Sequence, residues 1–145
     1  LGDVYKRQVN RNYLIYIPDS YDSEIDYPLM FLFHGFGGIA SEFINTADMR
    51  DLAESKNFIV VYPQGLDLAG TGSHWNCSNP SADNKSDVDD IGFIENLIDQ
   101  LLIDYPVIDK KEYMQLDIRM EDLCHIIWVV IQRNLLLLVQ LLVQC

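Results

Sequence analysis

A chain of 145 residues bounds one modest domain, long enough for a real core, and a hydrophobic fraction of 49% excludes a disordered chain. A net charge of -12 argues against nucleic acid as a partner, because phosphates call for Lys and Arg. Three cysteines, Cys77, Cys124 and Cys145, show no metal-binding spacing, and an odd number cannot all pair internally.

Residues 1–8, Leu1 to Gln8, lack an initiating Met and the pattern of a secretion signal. They resemble a translated library adapter and are set aside, so the natural amino terminus and any secretion signal are expected upstream. Asn12 to Pro18 is β-branched and aromatic and predicts a first strand; Asp19 to Tyr27 is an acidic turn region. Leu29 to Phe33 is a continuously apolar run, as expected of a strand buried on both faces. It ends abruptly in His34-Gly35-Phe36-Gly37-Gly38, where glycines allow a sharp turn and a close approach to a ligand. Ala40 to Lys56 predicts one helix capped by Ser41, with Phe43, Ile44, Met49, Leu52 and Ala53 as its apolar positions. Phe58 to Tyr62 predicts the next buried strand, stopped by Pro63. Leu66 to Ser86 is rich in Gly, Ser, Asn and Asp and reads as one long, functional loop. Asp87 to Asp90 then caps an amphipathic helix over Ile91 to Leu102, with Ile91, Phe93, Ile94, Leu97, Ile98 and Leu101 inward. Strands alternating with helices predict an α/β fold with a mostly parallel sheet.

Taken in order, Arg11-Asn12-Tyr13 to Pro18, Phe33-His34-Gly35-Phe36-Gly37-Gly38, Val60-Val61-Tyr62-Pro63-Gln64-Gly65, Trp75-Asn76, Asp89-Asp90-Ile91-Gly92-Phe93-Ile94 and Ile108-Asp109 make a specific succession. It resembles the polyhydroxybutyrate depolymerase-like family of secreted esterases, which also holds feruloyl and acetylxylan esterases, over roughly residues 10–111. The resemblance implies the amino-terminal half of an α/β-hydrolase sheet with flanking helices over residues 9–111. It also implies a Gly-x-Ser-x-Gly nucleophile elbow directly after Lys111.

That elbow is not there. Residues 112–145 contain no Gly, which is odd for the half of such a fold that needs tight turns. The genetic code offers a reason. If Lys110 to Gln115 is written AAA AAA GAA TAT ATG CAA, one further A turns it into Lys-Lys-Arg-Ile-Tyr-Ala. In the shifted frame an Ala from Met114/Gln115, a Gly from Met120/Glu121 and a Gly from Trp128/Val129 are forced whatever the codons. Permitted codons then give Tyr-Ala-Thr-Gly-Tyr-Ser-Asn-Gly-Gly-Phe-Met-Ser-Tyr-His-Leu, which contains the elbow, and Ala-Val-Ala-Gly-Ser-Met across Val139 to Cys145. Residues 112–145 are therefore expected to be a frameshifted, non-native tail, and no Ser-Asp-His triad stands in frame. Within it, Ile126 to Val143 approaches the length of a membrane span, but Gln132-Arg133-Asn134 interrupts its centre.

The resemblance makes the His34 turn an oxyanion hole, with the Phe36 N–H as donor and Gly35 and Gly37 shaping the turn; the bland alternative is a turn with no ligand. His34 precedes the place of the nucleophile, whereas the family's base follows it, so His34 is expected to hold the loop through a ring hydrogen bond, with substrate contact as the lesser alternative. His74 either lines the pocket mouth or is a solvated loop histidine. Trp75, beside Asn76, either stacks on an aromatic or sugar substrate or packs over the sheet edge. Asp89 and Asp90 read as helix-capping residues rather than a catalytic or calcium-binding pair. Cys77 is open to a disulfide in an oxidising compartment, and the restored frame permits a Cys at Val129/Val130.

The resemblance thus implies a secreted or periplasmic serine carboxylesterase without cofactor or metal, acting on polysaccharide-linked esters or a polyester, with no membrane or nucleic-acid partner. The fragment itself is expected to be inactive and poorly stable. Two other readings stay open: a non-catalytic esterase-like domain with a carboxyl-terminal membrane or partner-binding helix, and a carbohydrate-binding module using Trp75.

Overall fold

The computed structural model describes residues 11–68, 72–76, 88–106 and 108, together with the backbone of short strands at 125–126, 128–131 and 141–142. The adapter-like residues 1–8, Cys77 and most of 112–145 lie outside them.

The elements run β1 (Tyr13–Tyr16), β2 (Leu29–Leu32), α1 (Ala40–Thr46), α2 (Arg50–Lys56), β3 (Ile59–Pro63), β4 (Leu66–Leu68), β5 (Gly72–His74), α3 (Asp90–Asp104), β6 (His125–Ile126), β7 (Trp128–Ile131) and β8 (Leu141–Leu142). The main sheet has the order β1-β3-β2-β7; β4 with β5 and β6 with β8 form two separate ladders. This is an α/β arrangement, but the sheet is mixed rather than mostly parallel. Only β2 and β3 run parallel within it, while β1 pairs antiparallel with β3 and β7 antiparallel with β2. Each apolar run marked a strand correctly, but periodicity carries no information about strand direction.

The two apolar runs are uninterrupted because each face of the sheet has its own core. Leu29, Phe31, Phe33, Ile59 and Val61 point to one side, where Ile94, Leu97, Ile98 and Leu101 of α3 cover them. Leu32, Val60 and Tyr62 alternate to the other side and meet Ala40, Ala53 and Phe58 around α1 and α2. Four of the six inward positions foreseen on α3 are buried; Ile91 and Phe93 are only half-buried, and Leu102 joins the core instead.

The predicted single helix over residues 40–56 is two helices. Asn45, Thr46 and Asp48 are weak helix-interior residues, and Asp48 turns its carboxylate back onto the Arg50 N–H at 3.0 Å and the Arg50 guanidinium at 2.6 Å. The Tyr62 hydroxyl fills the gap from the sheet, donating to the Ala47 carbonyl at 2.9 Å and accepting from the Met49 N–H at 3.3 Å. The helix start also differs from expectation: Ile39, not Ser41, is the N-cap, and no side chain caps it. The α1 opening is held instead by Gln64, whose side-chain Oε1 accepts the Ala40 N–H at 2.8 Å. The long loop expected over residues 66–86 opens with the short β4–β5 hairpin, in which Gly72 takes a φ of 83°.

Removing the Tyr62 hydroxyl strands an N–H and a carbonyl at the break without changing the sheet. Tyr62→Phe is expected to lower stability by about 1–2 kcal/mol. Urea unfolding followed by far-UV circular dichroism checks this: the midpoint should fall while the denaturant slope stays constant.

Candidate functional site

The chain leaves β2 towards α1 on one face of the sheet and leaves β3, through the β4–β5 hairpin, towards α3 on the other. Exits that diverge to opposite faces leave a crevice beyond the carboxyl ends of two parallel strands, the usual place for a ligand in such sheets. The His34 turn and the Gln64-Gly65 exit from β3 meet there.

Gly35 to Gly38 forms a β-turn, with the Gly38 N–H donating to the Gly35 carbonyl at 3.0 Å. Gly37, its third residue, has a φ of 72°, a conformation that glycine adopts without strain. The Gly37 N–H donates to the Ser73 carbonyl at 2.7 Å, so it serves the fold and not a ligand. The Phe36 ring at the tip is half exposed. Ser73 also ties the turn through its hydroxyl, which donates to the Gly38 carbonyl.

His34 lies beneath this turn, 3% exposed. Its Nε2 accepts the Gly65 N–H at 2.9 Å, which fixes the proton on Nδ1, and Nδ1 donates to the Gly35 carbonyl at 2.8 Å. Burial pushes its pKa below the ordinary imidazole value, outweighing the Gly35 hydrogen bond, and the nearby Arg11 charge acts in the same direction as burial. The ring is a neutral internal brace with both nitrogens occupied by backbone. Gln64 reinforces it: its side-chain amide lies 3.1 Å from His34 Nε2 and donates to the carbonyls of Gly65 at 3.1 Å and Gly38 at 3.3 Å. Gly65 tolerates no side chain, since a Cβ there would stand 2.6 Å from the His74 carbonyl oxygen.

The other candidates come to the same place. Trp75 donates its indole N–H to the His34 carbonyl at 3.0 Å and packs edge-on against Phe33 at 5.1 Å between centroids. The Arg11 guanidinium lies 5.7 Å from its ring centroid. These contacts match the packing alternative for Trp75. His74 is buried at the end of β5, its Nδ1 3.3 Å from the Gly72 carbonyl, and so is not a solvated loop residue. Asn76 is buried as well, donating its backbone N–H to Asp90 at 2.6 Å and its side-chain amide to the Val88 carbonyl at 3.2 Å.

Asp89 caps α3 as expected, accepting the Gly92 N–H at 2.8 Å. Asp90 does something else: it is buried and forms an ion pair with Arg11, whose guanidinium is also stacked at 4.6 Å over Phe93. Burial draws the Arg11 pKa down from its ordinary value. Among the described residues no group of three or more His, Cys, Asp or Glu is placed to hold a metal ion. Gln64, Gly65, Ser73 and the Arg11–Asp90 pair were not singled out from the sequence as parts of the site. Gln64, Gly65, Arg11 and Asp90 stood in the family-like succession without a role at the turn, and Ser73 carried no signal of its own.

Neutral His34 in the folded chain, against an ordinary value of 6.5 when unfolded, gives a definite sign. Above about 6.5 the brace contributes fully; as pH falls below that, the unfolded chain binds the proton first and stability declines towards the lowered folded pKa. His34→Asn should cost about 1–3 kcal/mol by leaving the buried Gly65 N–H unpaired. It should also flatten the dependence of the urea midpoint on pH between 7.5 and 5.5. What the site does chemically rests on its own geometry, since no protein-family model matches the chain and no curated protein matches it.

Proposed function

We propose that the described domain is the amino-terminal part of a secreted α/β-hydrolase-type serine carboxylesterase, similar to the polyhydroxybutyrate depolymerase-like family, and that its reading frame is shifted after Lys111. The observation that carries this is the parallel bridge between Tyr27 and Ile108. The Pro28 carbonyl faces β3, where it accepts the Ile59 N–H at 2.9 Å. By strand alternation Tyr27 therefore turns to the opposite edge of β2. In this reading the restored chain after Ile108 takes that edge in the direction of β2, in place of β7, and brings its carboxyl end beside the His34 turn. That is where a nucleophile elbow has to stand for its serine to share a carbonyl with oxyanion donors on the turn.

In this reading the restored serine attacks the ester carbonyl, a histidine further along takes its proton, and an acid orients that histidine. The negative oxygen of the tetrahedral intermediate is stabilised by backbone N–H groups at the Phe36 tip and after the serine. Water then releases the acyl group. His34 has no place in proton transfer; it sets the shape of the turn. The fragment lacks the triad and is inactive. A literal carboxyl-terminal helix, for membrane or partner, draws no support: the described stretches at 125–126, 128–131 and 141–142 are strands. No helix among the described residues is long and apolar enough to cross a membrane.

The test is genetic and then enzymatic. Source DNA across the codons of Lys110 to Glu112 is expected to permit Gly-Tyr-Ser-Asn-Gly after one added A. The protein from the corrected frame should hydrolyse a chromogenic acetate ester, and exchanging the elbow serine for Ala should cost at least about 10⁴-fold. The present chain should hydrolyse none. Codons that cannot yield the elbow, or turnover by the present chain, overturn the reading.

A further inference from the structure

The Gln64 side-chain amide stands between the glycine turn and α1. Its Oε1 accepts the Ala40 N–H at 2.8 Å, and its nitrogen donates to the carbonyls of Gly65 at 3.1 Å and Gly38 at 3.3 Å. A donor on one side and two carbonyls on the other settle which end is oxygen. The same nitrogen lies 3.1 Å from His34 Nε2, which already accepts the Gly65 N–H at 2.9 Å. While the imidazole is neutral, every group here is satisfied. A second proton, on Nε2, would face two donors, Gly65 and the Gln64 amide, in a side chain 3% exposed. One bond rotation removes that conflict. A half-turn of the Gln64 amide brings Oε1 to the imidazolium and turns the amide nitrogen towards the Ala40 N–H. The carbonyls of Gly38 and Gly65 then lose their donor. The opening of α1 loses its acceptor too, and no N-cap side chain stands in for it.

We propose that His34 and Gln64 form a proton-operated latch: a second proton on the imidazole turns the Gln64 amide over and releases the glycine turn and the opening of α1 together. Among the described residues, four charged or titratable groups surround the ring. Arg11, ahead of β1, is paired with Asp90 of α3; Glu42 of α1 borders the same surface depression as His34; and the carbonyl of His74, in β5, closes on Gly65. The groups against Nε2 itself are the Gly65 N–H and the Gln64 amide. Burial opposes the second proton most, Arg11 adds to that, and the Gly35 hydrogen bond favours it. The latch stands on these hydrogen bonds alone; only its meaning, an oxyanion turn shut off by acid, rests on the esterase reading.

The isotope-labelled chain is titrated from pH ~7.5 to ~4.5, with the His34 ring nitrogens and the backbone amides followed together. The Ala40 and Gly65 amides should shift with the His34 midpoint while Val61, inside β3, stays unchanged. Gln64→Glu supplies one oxygen for Ala40 and one for the imidazolium. His34 should then bind its proton at least about tenfold more tightly, and Ala40 should no longer follow it. Gln64→Met removes the acceptor, so proton binding should weaken about threefold. An amide that stayed put and only crowded Nε2 would make the same change strengthen it. An Ala40 amide that ignores the His34 midpoint or an imidazole that takes its proton only as Val61 unfolds overturns the inference. So does unchanged proton binding in Gln64→Glu or tighter binding in Gln64→Met, and the unaltered chain decides the matter where a variant does not fold. A corrected-frame protein without esterase activity would leave the latch standing, whereas an active one whose Ala40 amide stays put would sink the latch and keep the esterase.

Discussion

One imidazole holds the exits of two parallel strands together. His34 ends β2, yet its ring closes on Gly35 through Nδ1 and on Gly65, beyond β3, through Nε2. Both contacts are possible only for the neutral tautomer protonated at Nδ1. A second proton would make Nε2 a donor facing the Gly65 N–H, two donors without an acceptor in a buried place. The same requirement explains the neighbours. Gly65 has to be Gly because its backbone is pressed against the His74 carbonyl, and Gln64 fits because one amide supplies both an acceptor for α1 and donors for the turn. The turn carries a positive φ, an exposed Phe36 and a short loop, and it keeps its shape because this layer beneath it is fully bonded.

A second buried constraint works at longer range. Arg11 and Asp90 are 79 positions apart in sequence and pair beneath the Trp75-Asn76 segment. The cost of burying two charges nearly cancels their attraction, so such a pair adds little net stability, but breaking it strands a charge. Its contribution is specificity. Asp90 takes the Asn76 N–H, Arg11 lies over Trp75, and Trp75 in turn donates to the His34 carbonyl. The start of the chain, the hairpin and the first turn of α3 are thereby held in one arrangement around the turn.

These two devices mark the boundary of what a sequence discloses. The apolar runs at Leu29–Leu32 and Ile59–Pro63 were legible because burial on both faces removes all polar alternation. The period of α3 was legible because a single core covers one side of it. The helix break at Ala47 to Met49 was not, because its cause is a hydroxyl on Tyr62 and no local signal reports a partner 13 to 15 residues away. The β4–β5 hairpin was hidden for a different reason: Leu66 to His74 is short and polar, and its ladder is secured by contacts to the His34 turn. Of the site, the turn itself was readable from its glycines, while Gln64, Ser73 and Asp90 act through geometry that only the folded chain creates.

The remaining edge of β2 is approached by two segments of opposite direction. Ile108 makes an isolated parallel bridge with Tyr27, yet two residues further on the ladder belongs to β7, which runs antiparallel from Leu29 opposite Ile131 to Leu32 opposite Trp128. Both segments claim one edge. An open edge with buried, apolar neighbours accepts almost any extended β-branched segment, because the ladder is made by backbone groups common to all sequences. Trp128-Val129-Val130-Ile131 has that composition whether or not it was selected for the position. Direction is therefore the discriminating feature. A connection through α3 returns the chain to the sheet parallel to β2, as such crossovers do, and Ile108 arrives in that sense. In the proposed reading β7 is a substitute occupying an edge built for the continuation of Ile108. In that same reading, the strand at this edge decides whether a nucleophile stands beside the turn or an apolar ladder covers it.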